Sequence, residues 1–453
     1  MLSTPGAPGR QSGVSLGGAA VLGASLASGM LLFSLSPTPG PFLIFALGAI
    51  VLFALLRYPE LALALYAVVG DIKGDERVTS FVPVDFTLAL GAILLAGIAL
   101  NLFRGKRVLP VAPAYFLFLA LVALMTASLA YTPVFDWGLE KLARFLTLTG
   151  IVIVSPFFVL GTPQAMKRFL VGFGLAAFAI CAWSLTALGG SQRLATPSNN
   201  TIGLGHVAGA LLLLIWFAVV PRYSFPWRTF AYALLAIPAV ALIGSGSRGS
   251  VVACGLVVLI SLFFRRRLWL DVSGLAALGF VALPLLRVPE SSLEYLSTLF
   301  RARNFAALLN FRSDLLGYGW QLLAQHPLLG AGLGGFRYHS PNPLLYKWPH
   351  DIFLEFACEL GIPAALIAAA IFVWAIREAL RQLRDRRSPD FLLSQIAAAL
   401  FLAGIVNALS SGDINSDRLT WLFLSLVFVV RGLRAQSTEC GTLAREVARP
   451  ASA

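Results

Sequence analysis

Charge is what this chain has least of. Only 12% of its 453 residues are Asp, Glu, Lys or Arg, against 58% that are hydrophobic. A soluble globular domain carries roughly 25% charged residues, so a water-soluble fold is excluded. Cysteine is scarce too: Cys181, Cys254 and Cys358 lie in apolar stretches and Cys440 lies near the C-terminus. That usage suggests neither a disulfide framework nor a metal cluster. The first apolar run lacks a small-residue cleavage site followed by a soluble domain, so it is expected to stay as an anchor. No internal repeat or low-complexity tract is visible.

What the chain has instead is a series of apolar runs, most of about 17–22 residues, the length that crosses a bilayer as a helix. They fall at 14–35, 41–57, 59–70, 85–102, 112–130, 144–160, 167–188, 203–220, 229–245, 249–264, 268–286, 352–375, 391–409 and 417–433. The fold class is therefore an all-α polytopic membrane protein, with about 12–14 spans. The short run 59–70 is expected to pair with its neighbour as a bent hairpin.

The net charge of +13 is a topology signal here. Alternating sides collects FRGKR, MKR, PRYSFPWR, RRR and REALRQLRDRR on one face, which the positive-inside rule assigns to the cytoplasm with both termini. A nucleic-acid partner has no support. The other face holds loops 71–84, 131–143, 189–202, 245–248, 287–351 and 410–416. This divides the chain into an N-terminal transmembrane region (1–286), a large periplasmic loop (287–351), C-terminal transmembrane helices (352–433) and a disordered cytoplasmic tail (434–453).

The loop 287–351 is too long for a plain connector. SSLEYLSTLFRARNFAALLNF and FRSDLLGYGWQLL within it have apolar residues at helical spacing, as helices lying on a membrane surface would. It also holds three of the four histidines: His326, His339 and His350. GAGLGGF (330–336) follows no strand, so it is read as a tight turn and not as a nucleotide fingerprint.

Several residues there could carry chemistry, each with a plainer alternative. Arg248 in GSGSRGS could grip phosphate bidentately or simply anchor a helix end at the interface. Arg312 opens a surface helix and could do the same, or face headgroups. Arg193 lies in SQRLATPSNN, a small polar loop able to close over a site. Arg301 and Arg303 are read as headgroup-facing. His350, just before a span, could take a proton from a sugar hydroxyl, or be an ordinary interfacial histidine. The spacing of His339 and Tyr338 fits no metal site. His326 and His206 are read as structural. Glu355 and Glu359 lie one helical turn apart below His350. Acids that deep in a span need a partner, either to orient His350 or an arginine, or to pair helices.

Taken together, SGSRGS before an apolar helix, FRSDLLGYGWQLLAQHPLLGAGLGGF, and HDIFLEFACELGIP opening another helix resemble the O-antigen ligase and polymerase superfamily of bacterial envelopes. The resemblance covers 245–433. It implies a GT-C-like inner-membrane glycosyltransferase that takes a glycan from undecaprenyl diphosphate on the periplasmic side. The acceptor would be lipid A-core in a ligase or another lipid-linked repeat in a polymerase. It further implies that His350 is the catalytic base and that Arg312, Arg248 and, more loosely, Arg193 bind the diphosphate. Asp351 stands where the family often has Asn, and a carboxylate there would support the histidine or mark another acceptor. No metal or cofactor is expected, because arginines can neutralise so good a leaving group. The rival reading is a flippase for lipid-linked glycans. Against it stand spans with almost no mid-membrane charge, where an ion-coupled transporter needs ionisable sites.

Overall fold

The computed structural model describes residues 39–72, 85–105, 108–110, 114–219, 227–264, 288–301, 312–343, 346–386, 388 and 390–447. The expected spans 14–35 and 268–286 lie outside these residues, as does most of the loop 71–84.

Among the described residues every regular element is helical. The helices are α1 (Pro39–Arg57), α2 (Pro59–Val68), α3 (Phe86–Phe103), α4 (Ala114–Ser128) and α5 (Phe135–Val159). They continue as α6 (Pro163–Ser184), α7 (Thr201–Ala218), α8 (Trp227–Gly244) and α9 (Arg248–Phe264). Three helices occupy the large loop: α10 (Glu290–Arg301), α11 (Arg312–Gln325) and the short α12 (Gly335–His339). The last are α13 (Ile352–Arg384), α14 (Phe391–Ala408) and α15 (Arg418–Val447).

Seven described helices are long and apolar enough to cross a membrane, or eight with α1 and α2 joined across a bend of 108°. That bend is the hairpin expected for 59–70. Three more apolar helices, at 114–128, 232–244 and 248–262, are shorter than a full crossing. The chain is an all-α multi-pass membrane protein. Its outward faces carry Leu88, Phe103, Phe116, Leu175 and Leu366 exposed, side chains suited to acyl chains rather than water.

Local chemistry sets the helix starts. Asp85, Thr162, Asn200 and Asp351 each accept a backbone N–H of the first turn through the side chain, at 2.8–3.1 Å, which satisfies donors the helix cannot. Inside, Phe118, Phe145, Phe372, Phe401 and Trp421 form a chain of ring contacts 5.3–6.2 Å apart, joining α4, α5, α13, α14 and α15. Small residues let backbones close up where apolar burial alone gives no preference between protein and lipid. Thr420 donates to the Gly404 carbonyl at 3.0 Å, for example.

Three differences from the expected layout bear on function. First, α5 begins at Phe135, inside the loop assigned to 131–143, and passes through a π-helical turn at Phe145–Thr149. Lys141 therefore sits in a membrane helix. Second, α13 is broken: Gly361 takes φ 84°, ψ 172°. The loop before α12 fills the gap, with Ala331 N–H donating to the Cys358 carbonyl and Ile362 N–H donating to that of Pro327, each at 2.9 Å. Third, α15 stays helical to Val447, past 434 where the tail was expected to begin.

Candidate functional site

The described parts of loops 131–143, 189–202, 245–248, 287–351 and 410–416 gather at one end of the bundle. Ser291 donates to the Ser191 carbonyl at 2.8 Å, Tyr131 to that of Leu329 at 2.5 Å, and Ile414 N–H to Glu355 at 3.0 Å. Asp71, the start of the loop 71–84, joins them by accepting from Ser198 N–H.

One half of this end is built on the turn between α8 and α9. Gly246 takes φ +63° there, which lets the chain reverse before Arg248 opens α9. Arg193 donates twice to the Ser245 carbonyl, from Nε at 2.8 Å and Nη2 at 2.6 Å. Arg248, 9% exposed, donates to Thr298 Oγ1 at 3.0 Å and the Tyr295 hydroxyl at 3.3 Å. Both guanidinium carbons lie 4.5 Å from the Tyr295 ring centroid. Helix α10 brings that tyrosine in, fastened by Ser292 donating to the Gly244 carbonyl at 2.5 Å. Burial lowers the pKa of Arg193, Tyr295 opposes that, and the like charge of Arg248 adds to it. An arginine starts so high that Arg193 stays a cation all the same. Two positive charges thus share one ring.

The other half surrounds His350. Its φ of +62° is uncommon outside glycine and marks a sharp reversal into α13. The imidazole lies 6.0 Å from the Trp348 ring, edge to face. Asp351 accepts from Leu354 N–H at 2.9 Å, so its side chain caps α13. Burial raises its pKa, against the Leu354 and Phe353 N–H groups that lower it.

Below the histidine, Lys141 meets both acids, with Nζ 2.6 Å from Glu355 Oε1 and 2.6 Å from Glu359 Oε2. All three are buried. Glu355 Oε2 accepts from Ile414 N–H and Glu359 Oε2 from Gly334 N–H, each at 3.0 Å. The partner those depths demanded is a lysine. Hydropathy windows placed Lys141 in a loop. Lys141 lies one helical turn before Phe145, so extending the span's helical spacing backwards was the available signal.

The turn 409–417 joins the two halves. Ile414 reaches Glu355, Ser411 Oγ lies 3.2 Å from His206 Nε2, and Ser410 packs against Gly249, next to Arg248. His206 is thereby tied into structure. This turn ends in Asp417, 2% exposed, whose carboxyl oxygens have no hydrogen-bond partner among the described residues. Burial first, then Asp413, Glu355 and Asp351, pushes its pKa well above the ordinary carboxylate range. Sequence reasoning missed Asp417, because a short polar turn carries no periodicity to read. It also missed Arg337, which lies 4.2 Å over the Trp137 ring and donates to the Pro343 carbonyl at 3.0 Å.

Arg312 opens α11, but its side chain lies outside the described residues, like that of Arg301 and all of Arg303. His326 and His339 are exposed, with ring centroids 6.2 Å apart. Among the described residues no three of His, Cys, Asp and Glu converge closely enough to hold a metal ion.

Fold and site together define a multi-pass membrane protein with two arginines over one tyrosine ring and a buried charge network at one end. Residues 231–369, less than half of the chain, match the family model described as O-antigen ligase, so this stretch is similar to that family. The match takes in Arg248, Tyr295, Arg312, His350, Glu355 and Glu359, and leaves out Arg193, Lys141 and the turn 409–417. No curated protein matches the chain. The family's activity is of the ligase or polymerase type.

Proposed function

We propose that the chain is a metal-independent glycosyltransferase of the inner membrane, working on the periplasmic face and taking its glycan from undecaprenyl diphosphate. The observation that carries this reading is the pair of guanidiniums held 4.5 Å from the Tyr295 ring, at the same end as His350. Planar guanidiniums match phosphate oxygens two at a time. Arg193 and Arg248, with Arg312 at the head of α11, bind the diphosphate and neutralise charge as it develops on the leaving group. His350 accepts the acceptor hydroxyl's proton as that oxygen attacks the anomeric carbon. The bond from that carbon to the diphosphate oxygen breaks, and undecaprenyl diphosphate departs. Asp351, Glu355 and Glu359 support the histidine through the first turns of α13. The acceptor is lipid A-core in the ligase form of the reaction, or a second lipid-linked repeat in the polymerase form.

The test is release of undecaprenyl diphosphate by purified protein in detergent, with candidate acceptors and a chelator present. Turnover is expected to survive the chelator. Arg248→Ala is expected to lower it on the order of 100-fold or more, as loss of one oxyanion donor does. Movement of the lipid-linked glycan across proteoliposomes, without transfer to any acceptor, would make the protein a flippase.

A further inference from the structure

The chain reaches His350 by two arms. One arrives from the glycine turn through α12 and Trp348, and the other leaves as the first turns of α13. Both arms are fastened to the same buried ammonium. Gly334 N–H, in the glycine turn, donates to Glu359 Oε2, the oxygen that also receives Lys141 Nζ at 2.6 Å. Glu355, one turn nearer the histidine, takes Lys141 on one oxygen and Ile414 N–H on the other. The network closes where Asn415 Nδ2 donates to the Lys141 carbonyl at 3.2 Å. Helix α5, the glycine turn, the start of α13 and the turn 409–417 therefore converge on one side chain, 6% exposed. His350 sits between the arms in a left-handed conformation that only its surroundings can hold.

We propose that Lys141 is a positioning residue for the transfer reaction, its ammonium fixing the direction in which His350 faces the acceptor. This rests on the role given to His350 above. A plain pairing of helices would need one carboxylate. Here a single ammonium serves two, and each carboxylate holds a different loop of the site by its backbone. Removing the ammonium leaves two acids one turn apart without their cation and frees both arms. The histidine then keeps its chemistry and loses its aim, and a displacement of about 1 Å can lower turnover on the order of 100-fold.

The experiment compares wild type with Lys141→Met and with the charge-balanced variant Lys141→Met, Glu355→Gln, Glu359→Gln. Turnover with the lipid-linked donor and melting temperature in detergent are read for each. Lys141→Met is expected to lose kcat on the order of 100-fold with KM for the donor little changed. The balanced variant is expected to regain the melting temperature of wild type and remain slow. Full recovery of both would reduce Lys141 to charge compensation and overturn the proposal, as would a Lys141→Met enzyme with normal kcat. Should the triple variant not fold, Glu359→Gln decides, since it keeps the pair with Glu355. A lowered kcat at unchanged KM supports the proposal and a normal kcat overturns it. Maleimide labelling of Ser340→Cys, at a buried position on the loop arm, separates the two readings. If wild type shows no transfer, the function above fails, yet faster labelling in Lys141→Met still reports a released arm.

Discussion

His350 combines a backbone at φ +62° with a place directly before a capped membrane helix. Replacing it with alanine is expected to lower transfer by about 10²- to 10⁴-fold, the range for a general base, with donor binding retained. Single-turnover assays with separately measured donor affinity check this. Asp351 gives a second prediction, through pH. Burial raises its pKa, so its contribution to stability is full below the ordinary carboxylate value and is lost as pH rises through the folded value. Asparagine caps helices about as well as aspartate. Asp351→Asn is therefore expected to melt at or above wild type at pH 7.5, with the gap closing toward pH 4. A gap that widens on acidification would mean that the carboxylate is held as an anion. At this scale the sequence named the residue types well. Arg193, Arg248, His350, Glu355 and Glu359 were all legible as charges out of place in an apolar chain. Their partners, Tyr295 and Lys141, were not, because a tyrosine in a surface helix and a lysine near a helix end are unremarkable until the fold brings them together.

Among the elements, α13 decides most. Hydropathy reads 352–375 as one span, and the structure breaks it at Gly361 and stitches the gap with backbone hydrogen bonds from the loop 327–331. Such a break is tolerated in a membrane only where other protein satisfies the freed groups. Two glycines permit the approach. A Cβ on Gly330 would overlap the Glu359 carbonyl carbon, and one on Gly361 would overlap the Leu328 carbonyl oxygen, with φ at +69° and +84°. Gly361→Ala is expected to destabilise the protein by more than about 2 kcal/mol, combining a steric clash with a left-handed backbone. Thermal melting in detergent measures it, and a variant melting within a degree of wild type would show that the loop can withdraw without cost. The motif GIP in the sequence hinted at the break. It did not say what fills it, since the hydrogen-bond partner comes from about thirty residues away.

For the whole molecule, the described parts of the loops assigned to one face are joined by hydrogen bonds at one end of the bundle. The opposite end is held by different contacts, among them Arg168 Nε to Glu60 Oε1 at 2.5 Å and the guanidiniums of Arg57 and Arg168 over the Tyr58 ring. Which end faces outward is a prediction from the basic turns. Tyr338→Cys, exposed at the site end, is expected to react with an impermeant maleimide in intact cells. Arg57→Cys, at the other end, should react only after permeabilisation. The reverse pattern would invert the protein and move the site to the cytoplasm.

The sequence by itself determined the class of fold and singled out Arg193, Arg248, His350, Glu355 and Glu359 as polar groups in an apolar chain. Each of these follows from what one residue or one short window wants of its solvent, and a bilayer makes those demands strict. Only the tertiary structure decided that Arg193 and Arg248 share Tyr295, that Lys141 holds both acids of α13, and that α13 is interrupted. Those are pairings between segments far apart in the chain, fixed by packing and by the need of every buried polar group for a partner.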